Sequence, residues 1–308
     1  MMLPDDCSVS AEQFVAIRAA ADRALRDGGG FGVFPTPVDE IMRAAKIEIV
    51  PIAIDDGYLS QLRRTAEKAG RALLSAMSKV LGVFDPRGRI AFIDPETPEP
   101  KLPFLKLHEG GHAVLPWQSI FGLFEDCRMT LDPFVKAQFE REANVFASEV
   151  LFQMDVFSQE AADLNFGMKA PLQLAKRYGA SIYATTRRYV TASGRICAVL
   201  IFNPPVPGPA GSSIHVLRRV VASPAFLARF STISWPSEIA SNDRLAWLIP
   251  ANRMTRPRSI SFNDASGDPQ EFVAESFKTK HQTLVLIHAT STLRRRVYLP
   301  GLQPAATL

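Results

Sequence analysis

The sequence predicts an α+β protein in two parts. Residues 1–194 form a helix-rich domain with a small sheet and an HExxH helix, and residues 195–308 form a smaller mixed α/β domain. Three observations predict this. Residues 108–112 read His-Glu-Gly-Gly-His. Helical periodicity dominates as far as Val190, interrupted by only a few short strand candidates. Beyond Gly194 the pattern changes to apolar runs with strand character, beginning at Arg195–Phe202.

The elements follow in order. Ala11–Arg26 has Phe14, Ile17 and Ala21 on one helical stripe, and Gly28-Gly29-Gly30 ends it. Pro35–Pro37 opens a short helix, Val38–Ala45, and Ile47–Val50 is a strand candidate. Asp56–Val80 repeats Leu62, Ala66, Leu73 and Met77 at helical spacing. Val83–Phe84 and Arg89–Ile93 flank the turn Asp85-Pro86-Arg87-Gly88. Asp94–Pro103 is a proline-rich loop into the motif helix, with Pro103 in its first turn. Trp117–Leu131 is long enough to reverse the chain. A second strong helix is expected over Pro133–Phe157, with Phe139, Phe146 and Val150 as one ridge. Leu172–Tyr178 and the stretch from Ser181 to Val190 are helices separated by a Gly-Ala-Ser turn. Asn203–Gly211 reads as a linker or long surface loop, with Ile214–Val221 and Thr283–Ile287 as strands. Pro224–Phe230 is a short helix, Ser259–Gln270 an exposed loop, and Arg295–Tyr298 a last strand before a frayed tail.

Composition bounds the function classes. Apolar residues make up 47% and charged residues 21% of the 308 residues, the balance of a soluble globular chain. No apolar run has the length needed to span a bilayer, and the start MMLPDDC lacks the pattern of a signal peptide. The three cysteines, Cys7, Cys127 and Cys197, have neither metal-binding nor redox spacing and point to reduced thiols in the cytoplasm. The formal charge is +4, with arginines grouped at 187–188, 253–258 and 294–296. No nucleic-acid module accompanies them, so direct nucleic-acid binding is not expected.

The motif carries the chemistry. His108 and His112 are four apart, so they share a helix face and can hold one metal ion. Glu109 sits beside the first histidine, placed to act as general base on a metal-activated water. Zn2+ is the default ion for such a set, and two histidines leave it short of a third protein ligand. The next helix offers Glu140 and Glu142. They point roughly 200° apart, so only one can serve. Glu140 is favoured because it lies on a face with Ala143, Asn144 and Ala147, small residues that permit close helix approach. Asn144 either supports the motif helix by a hydrogen bond or is ordinary polar packing. Gly110 and Gly111 each cost a helix interior about 1 kcal/mol against alanine, which predicts close approach by another element.

Residues 140–147, Glu-Arg-Glu-Ala-Asn-Val-Phe-Ala, resemble the second signature of the ImmA/IrrE-type metallopeptidases, whose first signature is H-E-x-G-H. Phe104 and Gly111 fill that first signature's aromatic and glycine positions. The resemblance covers roughly residues 35–190. It implies a zincin-like fold, His108, His112 and Glu140 as metal ligands, and Glu109 as general base. It departs at Gly110, where the family has a larger apolar residue. It departs also at Leu105, and at Val150-Leu-Phe-Gln153, which replaces a Leu-Leu-Met-Pro close.

The expected activity is zinc-dependent endopeptidase hydrolysis of a protein or peptide substrate. The resemblance implies a DNA-binding repressor or another regulator as that substrate. Arg89–Ile93 is the candidate edge for holding it extended. The alternative is a regulatory ligand- or partner-binding protein on the same scaffold with weak or no hydrolysis. A toxin or immunity partner and a direct DNA-binding protein rank below it. His215, His281 and Tyr183 are candidates for steadying the oxyanion, none of them chosen.

Overall fold

The computed structural model describes residues 8–51, 82–118, 133–230, 233–264 and 266–289. The expected helix Asp56–Val80, most of the loop after Trp117, Cys7, Cys127 and the strand Arg295–Tyr298 lie outside these residues. The chain divides into two compact units between Ala192 and Ser193. It mixes helices and sheets throughout.

The first unit opens with α1 (Ala11–Asp27), capped by a reciprocal Ser10/Gln13 box. Gly28 follows it, packed on Ile41 of α2 (Val38–Ala44). Three short strands, β1 (Glu48–Pro51), β2 (Gly82–Asp85) and β3 (Ile90–Ile93), form a sheet in the order β1-β3-β2. β1 runs parallel to β3, and β2 pairs antiparallel with it through the Asp85–Arg89 turn. This corrects the expectation for Arg89–Ile93. That strand is central, because β1, brought in by α2, takes its other edge.

The motif helix α3 (Leu102–Val114) has proline in its first turn, as expected, and packs on β2 and β3. Beside it runs α4 (Pro133–Leu151), which also packs on α1. The glycines explain the approach. A Cβ on Gly111 would stand 3.1 Å from the Ala143 Cα, and one on Gly110 would stand 2.7 Å from the Met42 sulfur. Met42 of α2 therefore fills the space that a larger side chain at position 110 would take.

The helix expected over Pro133–Phe157 is two helices. α4 ends at Leu151, and α5 (Asp155–Asp163) starts after Gln153 and Met154, both at positive φ (49° and 56°). Tertiary bonds hold this break. Gln153 Oε1 accepts from the Gly32 N–H at 2.8 Å, and its Nε2 donates to the Val33 carbonyl at 2.7 Å. Arg188 donates to the Met154 carbonyl at 3.0 Å. α6 (Lys169–Tyr178) ends on left-handed Gly179, and Ser181 caps α7 (Ile182–Thr191).

The second unit is built on a seven-stranded antiparallel sheet. Its strands are β4 (Cys197–Phe202), β5 (Val206–Pro207), β6 (Ser213–Ala222), β7 (Glu238–Ala240), β8 (Arg258–Asn263), β9 (Pro269–Lys278) and β10 (Thr283–Ala289). The order is β5-β6-β4-β10-β9-β8, with β7 also on β6. β4 and β10 are buried along their whole length. One face packs Leu200, Phe202, Val285 and Ile287 on Phe226, from α8 (Pro224–Arg229), and on Phe262 and Phe272. Two expectations fail here. Of the two readings of Asn203–Gly211, the linker fails and the surface loop stands, with the short exposed β5 within it pairing with β6. Ser259–Gln270 is a β8–β9 hairpin, with Ile260 and Phe262 turned inward between exposed or half-buried polar residues. Among the described residues, no helix is long and apolar enough to cross a membrane.

Candidate metal centre

The site is assembled from two helices and the short segment after the first. α3 carries His108 and His112 one turn apart, their rings 5.0 Å apart and nearly perpendicular. α4 carries Glu140, which reaches both. Its carboxylate lies 3.2 Å from His108 Nε2 and 3.9 Å from His112 Nε2. One ligand atom from each of the three residues falls within 4.8 Å of the others. The structure thus brings together the three side chains that the spacing singled out, and Glu109 follows His108 on the same helix, 5% exposed.

Glu142 is elsewhere. It is buried under hydrogen bonds from Trp117 and Gln118, as well as from Gln13 and Gln138, and is not part of the cluster. His215 and His281 belong to the second unit. His215 Nδ1 sits 3.3 Å from the Asn203 carbonyl, and His281 is in the turn after Thr279.

Both imidazoles are oriented from behind. His108 Nδ1 lies 3.1 Å from Asn144 Oδ1, so Asn144 is a hydrogen-bonding partner of the motif helix. His112 Nδ1 lies 2.7 Å from Gln118 Oε1. An amide oxygen accepts from Nδ1–H, so a neutral ring held this way would offer its Nε2 lone pair to a metal on the Glu140 side, whereas without metal a protonated His108 donates from Nε2 to that carboxylate. Sequence reasoning missed Gln118. It follows the helix in Leu-Pro-Trp-Gln, without periodicity to mark it.

Electrostatics tie the three together. Burial opposes charge on His108, but the hydrogen bond to Glu140 and the carboxylates of Glu109 and Glu140 outweigh it and raise its pKa above the usual 6.5. Burial also opposes charge on Glu140, yet His108 and His112 hold its pKa down to about 2. The donor set of two imidazoles and one carboxylate, with both lone pairs on Nε2, is what a catalytic zinc site takes from its protein. The residues present therefore fit a divalent metal.

Residues 69–189 match Peptidase M78, the IrrE N-terminal-like domain. The match spans both signatures and ends within α7, inside the wider stretch over which the resemblance is read. The match suggests a metallopeptidase-like scaffold for this part of the chain and with it a metal, and a His/His/Glu cluster is present there. Solved structures are similar as well. One, a Mycobacterium tuberculosis transcriptional regulator, aligns with a TM-score of 0.51 at 14% identity, over 93% of this chain and 92% of that one. At that identity the likeness speaks for the fold. No curated protein matches the chain.

Proposed function

We propose that this protein is a zinc-dependent endopeptidase acting on a protein substrate, with His108, His112 and Glu140 as ligands and Glu109 as general base. One observation carries the reading. Two imidazoles, each held at Nδ1 by an amide oxygen, converge through Nε2 on one carboxylate in the Peptidase M78 segment. Zinc bound there supplies Lewis acidity toward a peptide carbonyl and makes water a better nucleophile near neutral pH. Glu109 takes the proton of the attacking water and delivers it to the leaving amine. Asn144 and Gln118 keep the ligand rings fixed through the cycle. An extended substrate is held by strand pairing along β2, which among the described residues is the outer strand that packs on the motif helix. A DNA-binding regulator in the cytoplasm is the substrate class we favour.

A second reading is a regulator on this scaffold that binds a ligand or partner and hydrolyses little. The likeness to a transcriptional regulator over most of the chain favours it. One comparison separates the two. Cells carrying the wild-type protein and cells carrying E109Q are compared for peptides with new termini. The endopeptidase reading expects termini present only with the wild type. Identical proteomes, with the same regulatory phenotype from both proteins, would establish the second reading instead.

A further inference from the structure

Glu142 is 1% exposed, and each of its oxygens takes two neutral donors. Oε1 accepts from Gln13 Nε2 at 3.0 Å and Gln138 Nε2 at 2.9 Å. Oε2 accepts from Trp117 Nε1 and Gln118 Nε2, both at 2.7 Å. A carboxylate is an acceptor with about four lone-pair sites, and here all four are used. An amide at this position would turn a donor toward donors.

The consequence falls on Gln118. Its Nε2 gives one hydrogen to Glu142 and the other to the Phe139 carbonyl at 3.2 Å. The amide cannot flip without setting oxygen against oxygen, so its Oε1 must face His112, 2.7 Å from Nδ1. Since that oxygen accepts, the His112 proton stays on Nδ1. The choice of tautomer thus traces back to a carboxylate outside the ligand cluster.

We propose that Glu142 is a positioning residue which, through Gln118, fixes the tautomer of His112 and keeps its Nε2 lone pair available to the metal. The proposal rests on the metal-site reading above and assigns Glu142 a role distinct from that of a ligand. In E142Q the amide at 118 can rotate to accept from the new side chain. It then presents its N–H₂ to His112 Nδ1, and the imidazole proton moves to Nε2, the ligand atom.

The test reads the tautomer and the metal separately. Long-range 1H–15N correlations of the metal-free, full-length protein assign the His112 proton, and chelator competition gives the zinc Kd. Wild type should show Nδ1–H. E142Q should show a population shifted to Nε2–H and a zinc Kd raised by about 10–100-fold, the usual effect of losing an outer partner. Q118M removes the acceptor while sparing Glu142. It should weaken zinc similarly, and it carries the test if E142Q does not fold. An E142Q protein that keeps Nδ1–H and its zinc affinity overturns the proposal, as does a Q118M protein with unchanged zinc affinity. A wild-type protein that binds no zinc sinks the metal reading, while the tautomer measurement still decides the relay.

Discussion

Gly111 lies so close to Ala143 that a Cβ on the glycine would stand 3.1 Å from the Ala143 Cα and 3.3 Å from its Cβ. Backbone and a methyl carbon have no room to retreat. This contact sets the distance between α3 and α4, and hence how near Glu140 comes to the two histidines. G111A is expected to destabilise the protein by about 1–3 kcal/mol through overpacking and to weaken zinc binding as the helices separate. G110A is tight only against the Met42 side chain, with Ile47 at an ordinary 3.9 Å, and it gains about 1 kcal/mol of helix propensity. Thermal denaturation of both chelated variants checks this. Equal losses of Tm would show that the glycine contact does not govern the helix pair.

The parts legible in the sequence share a cause. The spacing of His108 and His112, the stripe Ile17–Ala21 and the turn at Asp85–Gly88 are local, so periodicity and turn chemistry are enough to read them. What escaped was set at a distance. Gln153 breaks α4 because Gly32 and Val33 bind its amide, and no glycine or proline marks the place. Ile90–Ile93 is central because β1, from some 40 residues upstream, pairs with it. The β8–β9 hairpin hides behind serines and aspartates that occupy the outward positions and the turn. Gln118 acquires its role only from α4, which follows later in the chain.

Glu140 gives a ranking of metal affinities. E140A removes a charged ligand, whereas N144A removes only the partner behind His108. E140A should therefore raise the zinc Kd by more than the roughly 10–100-fold expected of N144A. Competition with a calibrated chelator orders the two. The reverse order would move the third ligand away from Glu140.

The pH dependence has a definite sign. In the metal-free protein the raised pKa of His108 contributes stability that is fully present below its unfolded value, near 6.5, and is lost as pH rises through the folded value. The lowered pKa of Glu140 contributes stability that is present above 4.5 and is lost as pH falls toward about 2. The metal-free pairing is thus strongest between these limits. Zinc needs His108 unprotonated, so its stabilisation grows as pH rises through that same raised value. The gap in Tm between zinc-loaded and chelated protein should widen from pH 6 to pH 8. A gap that stays constant over that range would show that no proton leaves the site on metal binding.

Glu149 supplies the last prediction, one of stability alone. Its carboxylate is 1% exposed near the end of α4 and is bound by Arg188 of α7, with Arg18 of α1 at 3.7 Å. Arg18 also forms a paired hydrogen bond with Asp155 at the start of α5, at 3.1 Å and 2.6 Å. Three helices therefore meet at one buried charge, and Arg18 ties a fourth to it. Such a pair adds little over a well-packed apolar substitute, but removing one partner strands the other. E149Q leaves the buried Arg188 facing a neutral amide, while Arg18 keeps Asp155, and should cost about 3–5 kcal/mol. E149M combined with R188M replaces both charges by volume and should cost markedly less. Urea denaturation of the two variants measures the difference. If E149M/R188M is destabilised as much as E149Q, the ion pair is itself stabilising, and the loss does not come from a stranded charge.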